Sequence, residues 1–169
     1  AKLRLTNRHP TRQDYTLVEK FVLGIADKMT KNGTYEHAAE VLESVWDEIE
    51  QFWGAPSQKL AFGILASYSG SQNELRNEIM YYEKFNSLHR QNPGSDDRGG
   101  MILGMLYRKC CKYHVAMDHL QSALVFWKKS KADNYRKHIA DIYIEMGWVY
   151  LDYGFGHEQN AMQVFGRAL

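Results

Sequence analysis

A chain of 169 residues, 44% of them hydrophobic, holds enough material for one domain or one array and can bury a core without disulfides or metals. Twenty-one Lys and Arg against twenty Asp and Glu leave a formal net charge of +1, too balanced for a general electrostatic affinity for nucleic acid. The longest apolar stretches, such as Met101 to Tyr107, fall well short of the roughly 20 residues a helix needs to cross a bilayer, so no membrane span is expected. Cys110 and Cys111 are adjacent and cannot form an ordinary framework disulfide with each other, which fits a reducing, cytoplasmic compartment. The opening Ala1-Lys2-Leu3-Arg4 has neither an initiator methionine nor a charged-then-apolar leader, and it reads as the start of an excised fragment of a larger protein.

Residues 1–13 read as a lead-in. Leu17, Phe21, Val22, Ile25 and Met29 then recur at helical spacing and predict a helix near 14–31. In Lys31-Asn32-Gly33-Thr34, Gly33 can take the left-handed conformation that ends a helix and Thr34 can cap the next. Ala38, Val41, Leu42, Val45, Ile49 and Phe52 trace a second stripe, predicting a helix over 35–53 and, with the first, a tight helical hairpin. Pro56 and Pro93 fall in Gly54-Ala55-Pro56-Ser57 and Asn92-Pro93-Gly94-Ser95-Asp96, where they punctuate rather than interrupt. Further helices are expected near 57–69, 72–90, 98–110, 113–130, 134–153 and 157–169, giving hairpins at about 14–53, 57–90, 98–130 and 134–169. No run alternates apolar and polar residues between hairpin turns, so the class is all-α.

Four hairpins of similar design call for an internal repeat. In the third, Leu103-Gly104-x-x-Tyr107 precedes Tyr113-x-x-Ala116-x-x-x-Leu120-x-x-Ala123-Leu124. Two antiparallel helices approach closely only where small side chains meet, which places Gly104 and Ala116 at the crossing and Leu103, Tyr107, Leu120 and Ala123 in the seam. The fourth has Tyr143-x-x-Met146-Gly147-x-x-Tyr150 and then Ala161-x-x-x-Phe165-x-x-Ala168-Leu169, with a turn two residues longer, in Tyr153-Gly154-Phe155-Gly156-His157. The first fits with softer residues, Val22, Ile25, Ala26 and Met29, then Gly33-x-Tyr35-x-x-Ala38-x-x-x-Leu42-x-x-Val45. The second is assigned by position: Leu60 to Tyr68 is apolar and helical, but Leu75 to Phe85 offers no small residue at the expected place and two registers fit.

This pattern resembles the tetratricopeptide (TPR) repeat over nearly all of the chain from about residue 14. Ala38 to Ala116 is 78 residues, two steps of 39, and Gly104 to Gly147 is 43, against about 34 for the usual repeat. The likeness narrows toward extended arrays such as those of kinesin light chains, cell-polarity adaptors and bacterial peptide-sensing or maltose-type regulators. It implies a right-handed superhelical array of about four helix-turn-helix repeats whose first helices line a concave side, and a non-catalytic scaffold that binds a peptide or helix of a partner there.

On that inner face the register places Lys20, Leu23, Asp27 and Lys31 in the first hairpin, and Arg98, Met101, Met105, Arg108 and Lys109 in the third. Asp141, Ile144, Glu145, Trp148 and Asp152 follow in the fourth. The expected partner is an amphipathic protein segment of mixed charge, with Trp148 as the anchor or, on the competing reading, packed against a neighbouring repeat or capping helix. The Lys and Asn clamp of chaperone-tail receptors is lacking. A second reading is a regulatory domain that senses a peptide or ligand for a DNA-binding or enzymatic neighbour, and a third is RNA binding through the basic stretch Lys128-Lys129-Ser130-Lys131 with Arg136-Lys137-His138. Apolar surface on the last repeat leaves self-association open.

No enzyme class, cofactor or metal is indicated. Cys110-Cys111-x-x-His114, with His119 beyond, does not match the spacing that lets two thiolates share a tetrahedral ion. His9, His37, His89, His138 and His157 are scattered near helix ends, and Glu43, Asp47, Glu48 and Glu50 read as a solvated helix face. Ser69-Gly70-Ser71 and Arg98-Gly99-Gly100 lack the form of a phosphate loop.

Overall fold

The computed structural model describes residues 11–91, 98–130 and 133–169, and among these every regular element is helical. In chain order they are α1 (Arg12–Lys31), α2 (Tyr35–Glu43), α3 (Trp46–Phe52), α4 (Ala55–Ser71), α5 (Leu75–Gln91), α6 (Arg98–Lys109), α7 (Tyr113–Lys129), α8 (Tyr135–Tyr153) and α9 (Glu158–Gly166). They fall into two compact units, Ala1–Leu88 and His89–Leu169. His9, Pro10, Pro93 and Lys131 lie outside the described residues, as does the His89 side chain.

In the first unit α1 starts two residues ahead of the sequence expectation. Thr11 closes a capping box, its backbone N–H donating to Asp14 Oδ2 at 2.7 Å while the Asp14 N–H donates to Thr11 Oγ1. Ala26 and Ala38 are both fully buried where α1 meets α2. Gly33, at φ +79°, makes the turn, with the Thr34 N–H donating to Met29 O at 2.9 Å. Thr34 does not cap α2 as its residue type suggests; its hydroxyl also donates to Met29 O, closing the helix behind it.

The single helix expected over 35–53 is two. Ser44 Oγ donates to Val41 O at 2.7 Å, Val45 leaves helical geometry (φ −122°, ψ 28°), and α3 sets off with Trp46 against the rings of Phe62 and Tyr81 at 5.7 Å. The break lets Trp46, Ile49 and Trp53 join one core with Leu42, Phe62 and Leu65.

The second hairpin now has one register. Asn73 takes φ +59°, and the Glu74 N–H donates to Ser69 O at 2.9 Å, the same closure as at Gly33. Ala66, fully buried, is therefore the counterpart of Ala26, and Glu78 stands where the other hairpins carry alanine. Room for that carboxylate comes from the opposite helix: a Cβ at Gly70 would lie 2.8 Å from Glu78 Oε1.

In the second unit Cys111 takes the turn position at φ +56°, with the Lys112 N–H on Tyr107 O at 2.9 Å. A Cβ at Gly104 would lie 2.5 Å from Leu120 Cγ, and one at Gly147 would overlap the Phe165 ring. The longer fourth turn uses Gly154 and Gly156 at positive φ and leaves the Gly147–Phe165 crossing intact. Gly147→Ala is expected to lower stability by about 1–3 kcal/mol, because the ring behind it must shift. Gly24→Ala, whose Cβ would meet nothing within 4 Å, is expected to raise stability by about 0.5–1 kcal/mol. Urea unfolding followed by helical circular dichroism checks both signs.

Candidate partner-binding face

In the second unit the first helices of the two hairpins, α6 and α8, are in contact. Arg108, near the end of α6, sends Nη1 to Asp152 Oδ2 at 2.7 Å, and its Nε lies 3.7 Å from Glu145 Oε2. The expected division of charge, cation on one repeat and acids on the next, thus closes on itself within the chain. The Glu145 carboxylate is largely shielded, and Oε2 has no hydrogen-bond donor at normal distance. Burial raises its pKa above the usual carboxylate range; Arg108 pulls it down, and Asp141 and Asp152 push it up again.

Around this pair Met101 and Met105 are half-buried, while Ile144 and Trp148 keep 39% and 45% of their surface exposed. The Trp148 ring meets Phe165 of its own hairpin edge-on at 5.8 Å. Lys109 is exposed at the end of α6, and Asp141 is half-buried near the start of α8. The Arg98 side chain lies outside the described residues.

The first unit is different. Lys20 is exposed and Asp27 pairs with Lys31 at 2.6 Å, but Leu23 is buried in the core cluster with Ala61 and Ile64 instead of facing solvent. Helix α4 packs on α1, the helix that carries it. A groove of about 360 Å³, missed in the sequence, is lined by Thr30, Lys59, Leu60, Gly63, Ser67 and Phe85, with Lys59 Nζ 4.8 Å from the Phe85 ring centre. The weak motif of the second hairpin hid it.

No family model matches the chain, and no curated protein matches it. Solved structures do, among them two of nearly identical TPR-like repeats from a Podosopora anserina protein classed as a kinesin light chain, one of them a variant with a single substitution. Each is 16% identical at a TM-score of 0.67 and covers 98% of this chain, against 77% and 76% of its own. The fold is a TPR-like helical repeat. That likeness, at this identity, speaks for the architecture alone.

Three further clusters lie on the TPR-like scaffold. Tyr153 donates to or accepts from His114 Nε2 at 2.9 Å and meets His157 edge-on at 4.5 Å, bordering a crevice of about 160 Å³ with Tyr113, Met117 and Tyr150. These residues lie on α7, α8 and the longer turn, which is why linear spacing did not join them. Of the basic stretch, Lys128 sits over the Tyr143 ring at 5.6 Å and His138 stacks on Trp127 at 4.0 Å, leaving Lys129, Arg136 and Lys137 exposed. In the acidic run, Glu50 pairs with Lys84 and Glu43 accepts from the Tyr81 hydroxyl at 3.5 Å, so part of that face is bound to α5. Among the described residues no three His, Cys, Asp or Glu side chains are grouped to hold a metal ion.

Because the folded state raises the Glu145 pKa, it binds that proton more tightly than the unfolded chain does. Stability is therefore gained as pH falls through the raised value and lost as pH rises through it. Glu145→Gln, which mimics the protonated form, should match or exceed the parent thermal midpoint at neutral pH, and the gap should vanish below the ordinary carboxylate range. A lower midpoint at neutral pH would show that the Arg108 pair outweighs the burial.

Proposed function

We propose that the chain is a non-catalytic interaction scaffold that holds an amphipathic peptide or helix of a partner protein along α6 and α8. TPR-like repeats generally serve protein–protein interaction, and the observation that carries the reading is the half-exposed Trp148 beside Ile144, Met101 and Met105. Large, partly exposed side chains of this kind provide the anchors on which interface energy concentrates. Arg108, Glu145 and Asp152 form the floor of that stripe. Being already paired, they leave Lys109 and Asp141, at opposite ends of their helices, to meet charges on the partner, and together with Arg98 these ten positions make up the proposed face. Free thiols at Cys110 and Cys111 are consistent with a cytoplasmic setting.

Selection of a displayed random-peptide library on the chain tests this reading. Binders should be amphipathic, protect α6 and α8 in hydrogen exchange, and lose roughly tenfold or more in affinity, about 1.4 kcal/mol, on Trp148→Ala. Lys129→Ala with Arg136→Ala should leave them unchanged. Binders that ignore Trp148 and fall with the basic pair, with steep salt dependence, would move the site to the basic stretch and favour a nucleic-acid ligand.

A further inference from the structure

We propose that the chain associates head to tail with a second copy of itself, the outer face of α1 on one copy seating against α8 and α9 on the other. The same repeat positions recur in α1, α4 and α8 on the entering side and in α2, α7 and α9 on the receiving side. Aligned on the crossing residues Ala26, Ala66 and Gly147, the position five residues earlier is Phe21 in α1, Ala61 in α4 and Ile142 in α8. In both units this position lies in the contact between successive hairpins: Ala61 and Ile142 are fully buried, where α4 packs on α1 and α2 and where α8 packs on α6 and α7. Phe21 is 69% exposed, and Leu17, one turn earlier, is 71% exposed.

The receiving side shows the same relation. The residue after the second-helix alanine is Ala39 in α2, Met117 in α7 and Met162 in α9. Ala39 is buried in the core cluster that includes Ala61, and half-buried Met117 lines one crevice with Val149, Tyr150 and Tyr153 of α8. Met162 is 73% exposed, and Leu151 on α8 is 42% exposed, at the position where α6 carries the Arg108 that grips α8. The chain thus presents both halves of an interface it forms twice internally, an entering face on α1 and a receiving face on α8 and α9. Because the entering and receiving faces are different surfaces, pairing them with a second copy makes a heterologous contact, one that propagates rather than closing as a two-fold dimer. Exposed large apolar side chains on both faces supply the driving force.

Sedimentation velocity of the full chain over a wide concentration range tests the proposal. The parent should sediment faster as concentration rises. Phe21→Glu and Met162→Glu should each remain monomeric with unchanged helical circular dichroism, since both side chains are exposed in the monomer. An equimolar mixture of the two variants should form a dimer and nothing larger, because only one intact pair of faces remains. A parent that is monomeric throughout, a variant that still self-associates like the parent, or a mixture that stays monomeric would each overturn the proposal. Neither substitution touches the α6–α8 stripe, so peptide capture through Trp148 should survive both, which separates this interface from the proposed partner site.

Discussion

The approach of two antiparallel helices to within side-chain contact at one crossing is the constraint on which the rest of this chain depends. At Ala26 with Ala38 it is met by two small residues, and at Gly104 and Gly147 by the absence of a Cβ where Leu120 and Phe165 lean in. The second hairpin carries a glutamate on one side, and Gly70 yields the space Glu78 takes. Once the crossing is fixed, the turn that precedes the second helix must reverse the chain in three residues. A left-handed residue then appears at Gly33, Asn73 and Cys111 alike, though only one of them is glycine. Crossing and turn together set the phase of each repeat, and the phase decides which residues can be core and which can be interface.

Phase also explains the electrostatics of the second unit. Side chains on the facing sides of α6 and α8 meet because the two hairpins share a register, so an arginine late in one first helix lies among acids of the next. Burial leaves Glu145 poorly solvated and incompletely bonded, and with the charges of Asp141 and Asp152 acting on it its proton affinity rises in spite of the Arg108 cation beside it. A network of this kind ties two repeats in a fixed relation as much as it stabilises them. It also means that charges counted from sequence as a partner's contacts are largely consumed inside the chain.

What was legible in the sequence was whatever repeats. Helical stripes, the Gly104 and Gly147 crossings and the longer fourth turn could be read because each follows from local spacing. The break at Ser44–Val45 could not, since it answers to Trp46 docking on Phe62 and Tyr81, residues distant in sequence. Nor could the second register, because Asn73 and Glu78 replace the glycine and alanine that mark it elsewhere. Leu23 was misplaced on the solvent side for a related reason: helical periodicity gives the angle of a side chain about its own helix, while the width of the covered arc depends on the neighbour, and α4 covers more of α1 than the narrow stripe implies. The Tyr153 cluster with His114 and His157 is purely tertiary and left no linear trace.

A repeat fold makes its own interior readable and its partners obscure, for one physical reason. Interior positions face the same neighbour in every unit, so they are held to the same size and polarity, and a single sequence samples the rule several times over. Partner positions face something different in each unit and obey no such rule. The exceptions are residues such as Phe21 and Met162, which occupy positions that are interior in other repeats yet are largely exposed here. Apolarity there has no local justification in the monomer, as polar side chains at those sites would solvate without disturbing any packing. Their apolar chemistry is that of the buried positions to which they correspond, which is why a second copy of the chain is the partner proposed for them.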